Sequence, residues 1–278
     1  MPKNFKLEEC RIRLARQEDT DDLNAIARGI WSGSDYLPKV LPRWLAEPYF
    51  FVCEYREQVV ACIKLSLFPD SVLWFEGLRV KHSFQGHGIG SMMNAEMFRF
   101  AKSLKAKNPQ LKFEFCTYYQ NVESLHLTQK IGFKVVKKFY TLDKNGINLQ
   151  KEPMMIRDFD LSLFKLYPDY IPCGWQSIHN CPEALNFLKT RTQVFETPQA
   201  RYLLAGLSDK NIILLSPPPK NIKAELPYFQ SFYPPRKRYG LIVPLGYNRY
   251  LPQLHAGGFR FWDKEPKPTP NMLLLAKP

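Results

Sequence analysis

The strongest constraint on this chain is a glycine-rich turn, Gln85-Gly86-His87-Gly88-Ile89-Gly90-Ser91, set between an apolar run at Val72–Val80 and a helical pattern at 90–105. Glycines let the backbone turn with positive φ and let an anion come close, while successive N–H groups and a helix N-terminus point at it. The turn therefore predicts a nest for a diphosphate. A Walker loop needs Lys and then Ser or Thr after its second glycine, and Gly88-Ile89 supplies neither. A dinucleotide fingerprint matches at Gly86 and Gly88, but its sixth position is Ser91 and several strands precede the turn, whereas that fingerprint opens its βαβ unit.

The rest of the chain supplies the setting. Residues 10–14 alternate as a strand, and Asp19 or Thr20 caps a helix to about residue 27. Residues 29–42, rich in Gly, Ser and Pro and carrying Trp31 and Tyr36, read as a loop with one helical turn, followed by 43–46. Residues 49–55 and 59–68 form a hairpin pattern around Arg56-Glu57-Gln58, and residues 72–80 add a third strand. Met93, Met97, Phe100, Ala101 and Leu104 fall on one face of the helix that follows. Strand (111–117), helix (122–130) and strand (134–143) come next, with Gly132 as the helix stop. This order predicts an α/β fold with a mixed, mostly antiparallel sheet and flanking helices.

Beyond a boundary placed at 156/157, residues 157–278 read as a second α/β domain. The expected strands are 174–178, 211–215, 241–243, 259–262 and 272–276, with helices at 182–190 and 198–207 and rigid proline loops at 217–219 and 266–270. Two domains suit 278 residues of which 45% are apolar. No run of about 18 apolar residues occurs, and the start is charged where a secretory leader is apolar, so a cytoplasmic protein with no membrane role is expected. Six cysteines without a C-x-x-C pair fit a reducing compartment. Cys173, His179 and Cys181 lack a second ligand pair, so no metal is expected. A net charge of +13 attracts anions, whether nucleic acid, membrane surface or a phosphorylated cofactor. The tightest basic run, Arg236-Lys237-Arg238, reads as a solvated loop, which does not favour nucleic acid.

The pattern Q/R-x-x-G-x-G/A is met by Gln85, Gly88 and Gly90 after Leu78-Arg79-Val80, and the chain here resembles the GNAT acetyltransferase family. Asn121, Ser124, Leu125, Lys130, Gly132 and Phe133 match that family's downstream stretch in register. Within the family, Arg28-Gly29-Ile30, Asp35-Tyr36-Leu37-Pro38, Trp44-Leu45, Pro48 and Glu76-Gly77-Leu78-Arg79-Val80 are similar to the histidine N-acetyltransferase group. The likeness is close over 12–90 and loose beyond. It implies acetyl-CoA as cosubstrate, held by Leu78, Arg79, Val80, Gln85, Gly86, His87, Gly88, Ile89, Gly90, Ser91 and Asn121. It also implies a strand that splays at a bulge to pair with the pantetheine arm. The acceptor it implies is a small amino acid, L-histidine or a relative, acetylated on its α-amino nitrogen. The second half then reads as a degenerate GNAT unit.

Attack by an α-amino group requires loss of one proton. Glu76, a charged residue inside an apolar strand, is the candidate base, and period two puts it on the face of Leu78 and Val80. The alternative is a buried ion pair. Asp35 can hold an ammonium and Tyr36 can stack an imidazole, with a helix cap as the other role for Asp35. Tyr118 can donate to substrate or thiolate. Thr128 stands where many members carry the tyrosine that protonates the thiolate, which leaves the general acid open. His82, His87 and Cys116 lie close to the expected cofactor without a required role. Two further readings remain: a protein or peptide N-terminal acetyltransferase, and a noncatalytic acyl-CoA sensor or interaction module.

Overall fold

A computed structural model describes residues 5–207, 210–261, 263 and 269–277. The chain divides into two compact units that interleave in sequence: Met1–Phe115 with Leu127–Phe133 and Ala276–Pro278, and Cys116–His126 with Lys134–Leu275. The expectation of a single cut at 156/157 differs from this division.

The first unit runs β1 (Cys10–Leu14), α1 (Thr20–Arg28), α2 (Leu37–Ala46), β2 (Phe50–Tyr55), β3 (Gln58–Phe68), β4 (Val72–Val80) and α3 (Ile89–Lys107). The chain continues through β5 (Lys112–Tyr118) and α4 (Val122–Lys130), which pass between the units. Strands β1 to β4 pair antiparallel in order, and β5 joins β4 in parallel. The β2–β3 hairpin turns on Arg56 and Glu57 at φ 47° and 64°, the two left-handed residues of a turn whose twist matches its strands. Helix α1 buries Leu23, Ile26 and Ala27, and α3 buries Ile89, Met93, Met97 and Ala101, the spacing of one helical face. Phe75, Phe98, Phe113, Phe115 and Phe133 meet edge to face at 5.2–6.0 Å where paired, so the Gly132-Phe133 stop is a core element.

The single helical turn expected within 29–42 is a longer helix, because α2 begins at Leu37 and runs on to Ala46. Pro38 sits in the first turn, where its missing N–H costs nothing, and Pro42 forfeits one helical bond. Burial of Leu37, Val40, Leu41 and Trp44 on one face outweighs that loss.

The second unit holds β6 (Lys134–Lys144), β7 (Met154–Ile156), β8 (Tyr170–Pro172), β9 (Ser177–His179), α5 (Ala184–Arg191), β10 (Gln193–Glu196), β11 (Arg201–Ala205), β12 (Asn211–Leu214), α6 (Leu226–Gln230), β13 (Tyr239–Pro244), α7 (Leu251–Ala256) and β14 (Met272–Lys277). Its sheet order is β14-β6-β13-β12-β11-β10-β7. Pairing is antiparallel from β7 to β12, parallel between β12 and β13, and antiparallel between β13 and β6. The expected helix at 198–207 is instead β11: Tyr202, Leu203, Leu204 and Ala205 are buried on both faces, between β10 and β12. Such a run has no period to separate helix from strand, and the two neighbouring ladders decide. The expected strand at 259–262 is reduced to a bridge between Asp143 and Arg260, with Trp262 and 266–268 outside the described residues. Each unit thus has its own run of mixed, mostly antiparallel strands with flanking helices.

Candidate functional site

The turn between β4 and α3 is exposed, and its geometry is that of an anion nest. Gly86 and Gly88 hold φ of 78° and 83°, and Gly88 is the left-handed N-cap of α3. Among the described residues, a side chain at Gly86 would meet nothing within 4 Å, which leaves its backbone open to approach. The first-turn amides of α3 have no preceding carbonyls to bond, no described side chain caps them, and no acidic residue stands among them. Lys105 and Lys107 lie in the last turn, the sign the helix dipole favours there. Gln85 Nε2 donates to the Val80 carbonyl at 3.0 Å, and His87 Nδ1 lies 2.7 Å from the Gln85 carbonyl. These bonds fix the loop within itself and leave the Gly86-to-Ser91 amides to a ligand. A diphosphate, which accepts several N–H bonds and carries negative charge, fits this set.

Strand β4 is bulged and splayed beside that turn. Lys64 lies opposite Glu76 and Cys62 opposite Arg79, so β3 advances two positions while β4 advances three. The extra residue sits at Gly77-Leu78, where Gly77 has φ of 73°. An added Cβ at Gly77 would lie 2.6 Å from the Trp44 ring, so glycine is required by conformation and by space. Pairing with β5 ends at Trp74↔Glu114, while β4 runs on to Val80. Leu78 to Val80 therefore have no strand neighbour on the β5 side among the described residues, the opening into which an extended arm can hydrogen-bond.

The bulge also corrects a phase. Lys64 and Cys62, two apart on β3, share a face, so Glu76 and Arg79 share one on β4; Glu76 does not keep step with Val80. Glu76 is half-buried, and its Oε1 accepts a hydrogen bond from Ser66 Oγ at 2.6 Å. Lys64 Nζ donates to the carbonyls of Pro48 and Leu65 at 2.6 and 3.0 Å, and burial lowers its pKa although Glu47 and Glu76 oppose the change.

Asp35 is committed elsewhere than to an ammonium. Arg79 Nε and Nη2 donate to its two oxygens at 2.5 and 2.7 Å, with side-chain exposures of 5% for Arg79 and 0% for Asp35. Asp35 Oδ1 also accepts from the Leu37 amide at 3.1 Å, an Asx-type turn opening α2. The Arg79 guanidinium lies over the Tyr36 ring at 4.5 Å, and Trp44 meets that ring edge-on at 6.1 Å. Burial pushes the Tyr36 phenol up in pKa, Arg79 draws it down, and Glu76 and Asp35 push it up again, which places all three charges within its electrostatic reach.

Tyr118 and Asn121 belong to the second unit. Tyr118 Oη donates to Asp263 Oδ2 at 2.7 Å; burial first and that carboxylate second push its phenol well up, so it keeps its proton at neutral pH. Asn121 Oδ1 accepts from the Ser124 amide at 3.3 Å and caps α4. Among the described residues no cluster of three His, Cys, Asp or Glu can hold a metal, and no helix is long and apolar enough to cross a membrane.

Residues 18–133, from α1 through the turn to the Phe133 stop, match the acetyltransferase (GNAT) family. Over that stretch the chain is similar to the GNAT acetyltransferases. The histidine N-acetyltransferase of Scomber australasicus is 28% identical over 170 residues, 59% of this chain and 47% of the relative. That of Oreochromis niloticus is 28% identical over 167 residues, 59% of this chain and 44% of the relative. The chain thus spans about half the length of the curated relatives it matches. Among solved structures, a GCN5-related N-acetyltransferase from Sphaerobacter thermophilus superposes with TM-score 0.63 at 10% identity, covering 97% of this chain and 96% of that one, which speaks to fold alone.

Within residues 18–133, the short segments that resemble the histidine group meet in space. Asp35 and Arg79 form the buried pair, Tyr36 lies against Arg79 and Trp44, and Trp44 fills the space Gly77 leaves open. Sequence reasoning did not give the Arg79 side chain or Trp44 a part. The available signals were a second charge in an apolar strand and a glycine lying between the two charged positions, Glu76 and Arg79.

Proposed function

We propose that this chain is an acetyl-CoA-dependent N-acetyltransferase that acetylates the α-amino group of a small amino acid, with L-histidine the leading acceptor. The observation that carries this reading is the exposed Gly86–Gly90 nest at the head of α3, next to a β4 edge that β5 has left. Acetyl-CoA supplies an activated thioester, and its diphosphate suits the nest. The backbone of Leu78 to Val80 aligns the pantetheine arm as an added strand, so most of the acceleration comes from holding amine and carbonyl together.

An α-ammonium titrates at about 8, so one proton must leave before nitrogen attacks. Glu76 takes that proton, directly or through a water, while the Ser66 hydroxyl steadies the carboxylate. The nitrogen forms its bond to the acetyl carbon as the carbon–sulfur bond breaks, the nitrogen's second proton passes to the departing thiolate, and coenzyme A leaves as the thiol. A thiol of pKa about 8.5 is a competent leaving group without a dedicated acid, so Thr128 in place of a tyrosine is compatible with turnover. Tyr36 borders the base and serves the acceptor; Asp35 supports it from behind and does not contact the ammonium.

The second unit reads as a degenerate GNAT repeat. It too has a run of antiparallel strands, a helical crossover and a parallel pair, β12 with β13. Its crossover carries Pro217-Pro218-Pro219 where the first unit has glycines, and proline removes the amides a nest needs.

The test is thiol release from acetyl-CoA with a panel of free amino acids against peptides, beside Glu76→Gln. Turnover on free amino acids is expected, with kcat reduced about 10²–10⁴-fold in the variant and coenzyme A affinity retained. Turnover on peptides alone would make this a peptide acetyltransferase, acyl-CoA binding with no turnover would make it a sensor, and unchanged kcat in the variant would remove Glu76 from the mechanism.

A further inference from the structure

Trp31 carries features that the proposed reaction leaves unused. It is 64% exposed, rare for the largest side chain, and begins a short 3-10 turn, Trp31–Gly33. Its backbone sits at φ 45°, a conformation that an aromatic residue adopts at a cost of about 1–2 kcal/mol. Strain of this kind persists where the surroundings hold it, and here the holder is visible. The Arg79 guanidinium lies 5.8 Å from the Trp31 ring and 4.5 Å from the Tyr36 ring. The two rings are 6.3 Å apart and tilted by 30°. Ser34 Oγ donates to the Trp31 carbonyl at 2.6 Å, closing the turn upon itself.

The arrangement has an inside and an outside. Tyr36 is half-buried, with Arg79 over its face and Trp44 at its edge, so it leaves a ligand less ring surface than Trp31 does. Trp31, next outward, keeps most of its indole open. Arg79 shares its strand face with Glu76, and Tyr36 lies within electrostatic reach of both, so the layer Arg79, Tyr36, Trp31 builds outward from beside the candidate base.

We propose that Trp31 is a specificity-determining residue for the acceptor, offering its indole face to a planar side chain, and that Arg79, pinned by Asp35, is the positioning residue that holds it there. The inference rests on the acetyltransferase reading and narrows it, selecting ring-bearing amino acids over aliphatic ones of similar size. A flat ring stacks on indole with favourable offset contacts, and a cationic imidazolium adds attraction to the π face. An aliphatic side chain gains neither.

The test compares Trp31→Ala and Trp31→Phe with the native protein on histidine and alanine, with coenzyme A affinity measured by calorimetry. An exposed side chain at a strained position can be trimmed with little loss of stability, so the variants remain folded. Trp31→Ala is expected to raise KM for histidine about tenfold or more, to leave KM for alanine and the coenzyme A affinity within about twofold, and Trp31→Phe to recover most of the loss. Arg79→Lys, which keeps the charge and loses the fork, is expected to give the same histidine-selective KM shift together with a lower melting temperature. A purely structural role would lower activity on both acceptors alike. Equal effects on both, or an unmoved histidine KM in Trp31→Ala, overturn the inference while the acetyltransferase reading stands; a native protein that acetylates no small amine ends both.

Discussion

Replacing Gly77 by alanine tests the bulge on which the site geometry depends. The new Cβ would stand 2.6 and 2.7 Å from two Trp44 ring carbons, inside any real contact distance, and Trp44 is fully buried and cannot swing away. At φ 73° an alanine also bears the left-handed penalty, about 1–2 kcal/mol. Overpacking against a fixed ring adds about 1–3 kcal/mol, so the sum is about 2–5 kcal/mol. For a protein of this size that lowers the melting temperature by about 4–20 °C, readable by calorimetry or circular dichroism. Trp44→Leu combined with Gly77→Ala separates the two contributions: the clash vanishes and the backbone penalty stays, so the pair should be less destabilising than the sum of the single changes. An alanine variant with an unchanged melting temperature, or strict additivity in the pair, would refute the proposition that Trp44 occupies the space vacated at the bulge.

Ser91→Glu puts a carboxylate in the first turn of α3, where the dipole welcomes it, so stability should hold or rise by about 0.3–1 kcal/mol. Coenzyme A affinity should nevertheless fall about tenfold or more, because the charge faces the diphosphate; titration calorimetry beside thermal melts reads both, and unchanged affinity would move the ligand away from this turn. Asp19 gives a pH prediction: burial raises its carboxyl, but bonds from Arg13 at 2.8 and 2.9 Å and from the Arg16 amide at 2.8 Å outweigh burial and hold it below the usual aspartate range. A depressed carboxyl contributes stability that is present above its unfolded pKa and lost as pH falls through the folded one. Asp19→Asn should therefore be less stable at neutral pH and converge on the native protein as the pH falls past the lowered Asp19 pKa, and a constant offset in acid denaturation would contradict this.

The phosphate turn, the strands around it and the helix behind it were legible because each depends on local chemistry. Glycine spacing sets which φ values are open, apolar period sets the buried face, and an unpaired helix start needs no distant partner. The same locality explains the failures. Residues 37–46 carry an apolar face at helical spacing, yet the Gly, Ser and Pro content of 29–42 read as a loop with a single helical turn, since propensity is written along the chain and the burial that overrides it is not. Residues 201–205 hold good helix formers, and only the ladders on both sides make them a strand.

For the site, sequence by itself determined the nest, the family and the charged residues available. Tertiary structure alone decided how those charges are used. The bulge at Gly77 put Glu76 and Arg79 on one face, and the fold brought Asp35 across forty-four positions of chain to Arg79. An ion pair in a dry interior is worth forming only when both partners are placed to within a few tenths of an ångström, and that precision belongs to packing, not to spacing along a sequence.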